Sequence, residues 1–203
     1  MHVRRTLAVA ATLAFALAAP ATAAAQAKKA APAPAGSAIT WGFLAGIEDG
    51  DLPTGLSLRV DGIMPFRPLS PKVKLSWVGS LGFANFSEST SIAGLGEFDA
   101  SANILKLVPA ARFTFPLTPK FDLYGDAGLG LYLAFLSVSG PDGLGGTIED
   151  SSTEFGFLMR FAVGGMFAVS PTVRIGAELG LNPYFGDVDD TTFSALAAAT
   201  FRF

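Results

Sequence analysis

The chain has 203 residues, half of them apolar and only 15% charged, with 14 Lys and Arg against 17 Asp and Glu. Ordinary soluble domains carry about a quarter charged residues, so this composition is short of the charge that a water-facing surface needs. With no Cys and a single His, His2, disulfide frameworks, Cys-ligated metal centres and thiol nucleophiles are excluded; the acidic balance excludes nucleic acid as an expected partner.

The N-terminus carries Arg4 and Arg5, followed by about twenty uncharged residues rich in Ala and Leu. Basic residues, an apolar segment and small-residue cleavage signals at 23–25 and 25–27 describe a secretory signal peptide over residues 1–25. An uncleaved membrane anchor is the alternative, disfavoured because Ala contributes little to insertion and Pro20 interrupts the segment. Residues 26–37 are expected to form an Ala/Pro linker, without apolar periodicity. Folded structure is expected over 38–203.

From Ile39 onward the apolar residues recur with period two, the mark of strands with two chemically different faces. The first run sets Trp41, Phe43, Ala45 and Ile47 against Gly42, Leu44, Gly46 and Glu48. The second sets Leu56, Leu58 and Val60 against Ser57, Arg59 and Asp61; the third sets Leu75, Trp77 and Leu81 against Lys74, Ser76 and Ser80. Leu105, Leu107 and Phe113 then oppose Lys106 and Arg112, with Pro109 inside the run predicting a bulge or local irregularity. Leu123, Ala127 and Leu129 oppose Asp122, Tyr124 and Asp126; Phe157, Met159 and Phe161 oppose Glu154 and Arg160. Ile175, Ala177 and Leu179 face away from Arg174 and Glu178, and Phe193 to Phe203 alternate with Ser194 to Arg202. Short Pro-marked links follow the even runs. The odd-numbered links include two long stretches, 84–102 and 136–153, expected as loops.

The pattern predicts an all-β fold, an eight-stranded antiparallel up-and-down barrel. A soluble barrel would put its apolar face inward and a charged face in water. Here the polar face is mostly Gly, Ala, Ser and Thr, while the apolar face has almost no ionisable residue and is flanked by aromatics such as Trp41, Trp77 and Phe155. That favours a transmembrane β-barrel with its apolar face in lipid.

With its signal peptide, alternating strands and terminal Ala-Ala-Ala-Thr-Phe-Arg-Phe, the chain resembles the small outer-membrane β-barrels of Gram-negative bacteria, the OmpA- and OmpX-like group. The resemblance implies the cell outer membrane, with both termini periplasmic and long loops outside. Lipid and lipopolysaccharide surround such a barrel, and a monomer is expected. Phe201 and Phe203 match the C-terminal aromatic pattern that the barrel assembly machinery recognises in that family.

Sorting charges by expected location puts thirteen of the 17 acids, Glu48 among them, in the odd-numbered links with no Lys or Arg. The inward face receives Arg59, Asp61, Lys74, Lys106, Arg112, Asp122, Asp126, Arg160, Arg174 and Glu178. An eight-stranded barrel is only wide enough for side chains to fill it, so these are expected to pair into a plug. The alternative is a narrow pore for ions or small solutes lined by the same residues. The acidic stretches 49–51 and 187–190 lack the spacing of an EF-hand, so they are read as a solvated rim and not a metal site. The Gly-rich segment 140–146 is not followed by the Lys of a phosphate loop. No catalytic residue and no cofactor is expected, because the exported chain has no His to act as a base. A structural or surface-interaction role is the leading expectation.

Overall fold

The computed structural model describes residues 39–203 except 51, 52, 71, 93–95 and 142–145. The expected signal peptide and linker lie outside the described residues. Eight strands follow one another: β1 Thr40–Asp49, β2 Gly55–Ser70, β3 Val73–Ile92, β4 Gly96–Pro116, β5 Phe121–Pro141, β6 Thr147–Ala168, β7 Val173–Gly186 and β8 Thr191–Arg202. Each pairs antiparallel with its chain neighbour, and β1 closes the ring on β8 through pairs from Thr40↔Arg202 to Asp49↔Phe193. No sheet edge is left around the barrel wall.

The amphipathicity is inverted relative to a soluble domain. Along β7, Glu178 is 1% exposed while Leu179, the next residue, is 63% exposed. In β2, Ser57, Arg59 and Asp61 are buried, and Leu56, Leu58 and Val60 face outward. An outer belt of large apolar side chains over a polar interior is stable only where that belt meets hydrocarbon.

Two regions expected as loops are strands. β3 leaves β2 at Asn85, and β6 meets β7 only from Gly156. Past those points β3, β4, β5 and β6 continue to pair, up to Ile92↔Gly96 and Pro141↔Thr147. At about 3.3 Å per residue this adds roughly 20–30 Å of strand. Among the described residues this sheet has two open edges, on β3 and β6. Alternation missed it because Ser, Thr and acids dominate there, as in Glu88 to Ser91 and in Glu97 and Asp99 opposite them, and leave no sustained apolar period.

Prolines mark the irregularities. Pro65 and Pro68 sit at register shifts in the β2–β3 ladder. Pro109 produces no bulge: it stays in register opposite Gly79, and the ladder to β5 lapses between Leu107↔Leu131 and Ala110↔Gly128. The β6–β7 ladder lapses in the same way beside Pro183, between Leu158↔Tyr184 and Phe161↔Leu181.

Gly130 lets β4 and β5 approach at the first lapse, where an added Cβ would lie 2.3 Å from the Leu107 carbonyl oxygen. Gly130→Ala is therefore expected to lower stability by about 1–3 kcal/mol through overpacking, read as a lower urea midpoint for the vesicle-embedded barrel.

Candidate functional site

The interior is the candidate site, and its side chains fill it in layers. Nearest the long hairpins lies an apolar layer of Ala84, Phe86, Ala102, Ile104, Val108, Tyr132, Ala134, Leu158 and Tyr184. The Tyr132 and Tyr184 rings meet edge-on with centroids 5.3 Å apart. Val188, from the β7–β8 link, packs on this layer. Its backbone N–H donates to the Tyr132 hydroxyl at 3.0 Å, and that hydroxyl lies 3.3 Å from the Val188 carbonyl. Gly186, at φ +124°, makes the bend that starts the link.

Beneath it lies an ion pair. Lys106 Nζ on β4 donates to both oxygens of Glu48 on β1, at 2.7 and 2.5 Å. Glu48 also accepts from the Tyr184 hydroxyl at 2.8 Å and from Thr192 Oγ1 at 2.5 Å. This buried carboxylate is a correction to the sequence reading, which assigned Glu48 to an exposed link. Its parity with Leu44 on β1 was the signal that places it inside.

The central layer joins three arginines to three acids. Arg59 donates to both oxygens of Glu178 at 2.7 Å each, and to Asp61 at 2.9 and 3.2 Å. Arg112 forks onto Asp126 at 2.7 and 2.6 Å and reaches Asp61 at 3.3 Å. Arg112 and Asp126 are direct cross-strand partners, so pairing register alone sets them face to face. Tyr124 donates to Glu178 at 2.9 Å, and the Arg112 guanidinium stacks 4.1 Å from the Tyr124 ring centre. Ser80 donates to Asp61, and Arg160 Nη1 donates to Ser80, both at 2.7 Å. Arg160 Nη2 stands 3.6 Å from Asp126. Leu44, Tyr124, Met166, Leu196 and Ala198 form a second apolar cluster.

The remaining inward charges are peripheral. Arg174 and Asp122 pair near the short-turn end, with 39% of the Arg174 side chain exposed. Lys74 shares the inward parity but is exposed at that rim, which corrects its assignment to the interior. A strand's end residues keep the alternation while losing the walls that bury them. Phe201 packs edge-on against Phe43 at 6.0 Å, and Phe203 is 89% exposed beyond β8.

Among the described residues, no group of three or more His, Asp or Glu is placed to hold a metal ion. Asp49 accepts from Thr54 at 2.6 Å and Asp190 from the Thr191 N–H at 2.5 Å.

The family model of the outer membrane protein beta-barrel domain matches residues 8–201. The chain belongs to that family, and it is an outer-membrane protein. A major outer membrane protein from Thermus thermophilus superposes with a TM-score of 0.60 at 13% identity, over 82% of this chain and 100% of that one. Neisserial surface protein A (NspA) gives 0.50 at 16% identity, over 81% and 96%. Ail, the attachment invasion locus protein of Yersinia pestis, gives 0.45 at 17% identity, over 82% and 97%. At these identities the likeness to the first two is one of fold. No characterised protein sequence gives a significant match.

Within this outer-membrane barrel, a buried ion pair that loses one partner leaves an uncompensated charge, costing about 3–5 kcal/mol. Lys106→Met is expected to destabilise by that amount in urea unfolding followed by Trp fluorescence. Adding Glu48→Gln to it should recover most of the loss, since both charges are then gone.

Proposed function

We propose that this protein is a closed outer-membrane barrel whose role is structural or surface-interacting, carried by the sheet that extends β3 to β6 beyond the barrel. The observation that carries the reading is the Arg59–Glu178 bridge. It links β2 to β7 with two 2.7 Å hydrogen bonds across the interior. Together with the Lys106–Glu48 bridge between β4 and β1, it ties non-adjacent strands through the centre and occupies the path a solute would take. Apolar clusters accompany both bridges.

The extended hairpins suit contact with an external surface. They are rigidly paired, acidic through Glu88, Glu97, Asp99, Glu149 and Asp150, and end in open strand edges that offer backbone hydrogen bonds. In this reading the hairpins point outward from the cell and both termini are periplasmic. The barrel works as a monomer in phospholipid and lipopolysaccharide, and Phe201 and Phe203 serve the barrel assembly machinery. An enzymatic role is not part of the proposal: residues 39–203 contain neither His nor Cys, and Glu48, Asp61, Asp126 and Glu178 are engaged by lysine and arginine.

Planar-bilayer recording tests the closed interior. The refolded protein is expected to be silent, and Arg59→Gln with Glu178→Gln is expected to leak, because the central bridge is lost while net charge is kept. Stable wild-type currents whose ion selectivity shifts in that variant would make transport the function and overturn the proposal.

A further inference from the structure

Arg160 is a member of the central layer with fully buried donors that its neighbours among the described residues do not use. It is 3% exposed, and its Nε and Nη2 atoms have no hydrogen-bond partner there. The Asp126 oxygen 3.6 Å from Nη2 is at an ion-pair distance, too long for a hydrogen bond. Nε and Nη2 form one edge of the planar guanidinium, the fork with which arginine holds two acceptor positions at once.

Arg160 lines a void of about 20 Å³ between the Lys106–Glu48 pair and the central layer, together with Arg59, Ser80 and Ser194. Such a volume takes one water-sized occupant, and polar voids of that kind are filled. Of the three cations lining the void, Lys106 is paired with Glu48 and Arg59 with Glu178 and Asp61, which leaves Arg160 as the one with unused donors. The unused groups are donors on Arg160, so an occupant here must accept hydrogen bonds.

We propose that this void is a binding site for a single monovalent anion of halide size, held by the Nε–Nη2 fork of Arg160. Sulfate or phosphate is too large for it. The bound anion would complete the coordination of Arg160 and fasten the two ionic layers to each other. The proposal takes the closed interior as its setting, but its test reads occupancy and not current.

Crystals of the full barrel grown in sodium bromide, with diffraction measured at the bromine edge, test this. An anomalous peak is expected within about 3.5 Å of Arg160 Nε and Nη2, and it should be lost in Arg160→Met. Gly82 also lines the void, and a Cβ added there would make ordinary contacts, 3.5 Å from Lys106 Cβ and 3.7 Å from the Leu58 oxygen. Gly82→Ala therefore adds a methyl group to the lining without a clash and should also abolish the peak, which keeps the test open if Arg160→Met does not fold. A wild-type map with a water peak and no anomalous signal would overturn the site. So would a bromide peak that persists in Gly82→Ala, which would mark an adventitious ion elsewhere on the interior. A conducting barrel that keeps its Arg160 bromide would refute closure and support the site.

Discussion

The bridge from Arg59 to Glu178 is the constraint around which the interior is arranged. An eight-stranded barrel encloses too little space for a hydrated channel, so a charge aimed inward cannot rely on bulk water. It must find an opposite charge on another strand, and the hydrogen bonds must use up the remaining donors and acceptors. Arg59 meets this by forking onto Glu178 and touching Asp61 as well. Arg112 meets it through Asp126, and Tyr124 takes a further Glu178 lone pair. Each of these residues is held in place by a partner on a different strand, so the layer also fixes which strands face one another across the barrel.

The outer surface answers the opposite requirement. Lipid offers no hydrogen bonds, so the wall must satisfy every backbone group within itself, and closure of β1 on β8 does so. The same rule explains where irregularity is tolerated. Pro65 and Pro68 shift register close to the short β2–β3 turn. Pro109 and Pro183 interrupt a ladder within the wall without changing its register. Beyond the wall the requirement lapses, and β3 and β6 run on with one edge unpaired among the described residues. The four-stranded extension of β3 to β6 thus lies outside the closed wall, apart from the ionic layers of the interior.

Much of this was legible in the residues. Period-two alternation predicted all eight strands and the inward side of each, and a charge-poor polar face pointed to lipid outside. The inward positions of Arg112 and Asp126 follow from that alternation. The departures have physical causes. The hairpins beyond Asn85 and Gly156 read as loops because a strand dominated by Ser, Thr and acids has no sustained apolar period to detect. Glu48 falls among acidic neighbours in the sequence, although its parity places it with Leu44. Lys74 obeys the parity but sits where the wall ends.

Local chemistry, repeated every second residue, therefore determined the fold class, the membrane environment and the set of residues turned inward, because those depend only on which face a side chain takes. Tertiary structure decided the rest. Stagger between strands and the tilt of the closed wall set the height of each charge along the barrel axis, and those heights bring Arg59 to Glu178 and Lys106 to Glu48 across 119 and 58 residues of sequence. They also leave Nε and Nη2 of Arg160 without a hydrogen-bond partner among the described residues, since no period along a single strand records the distance to the opposite wall.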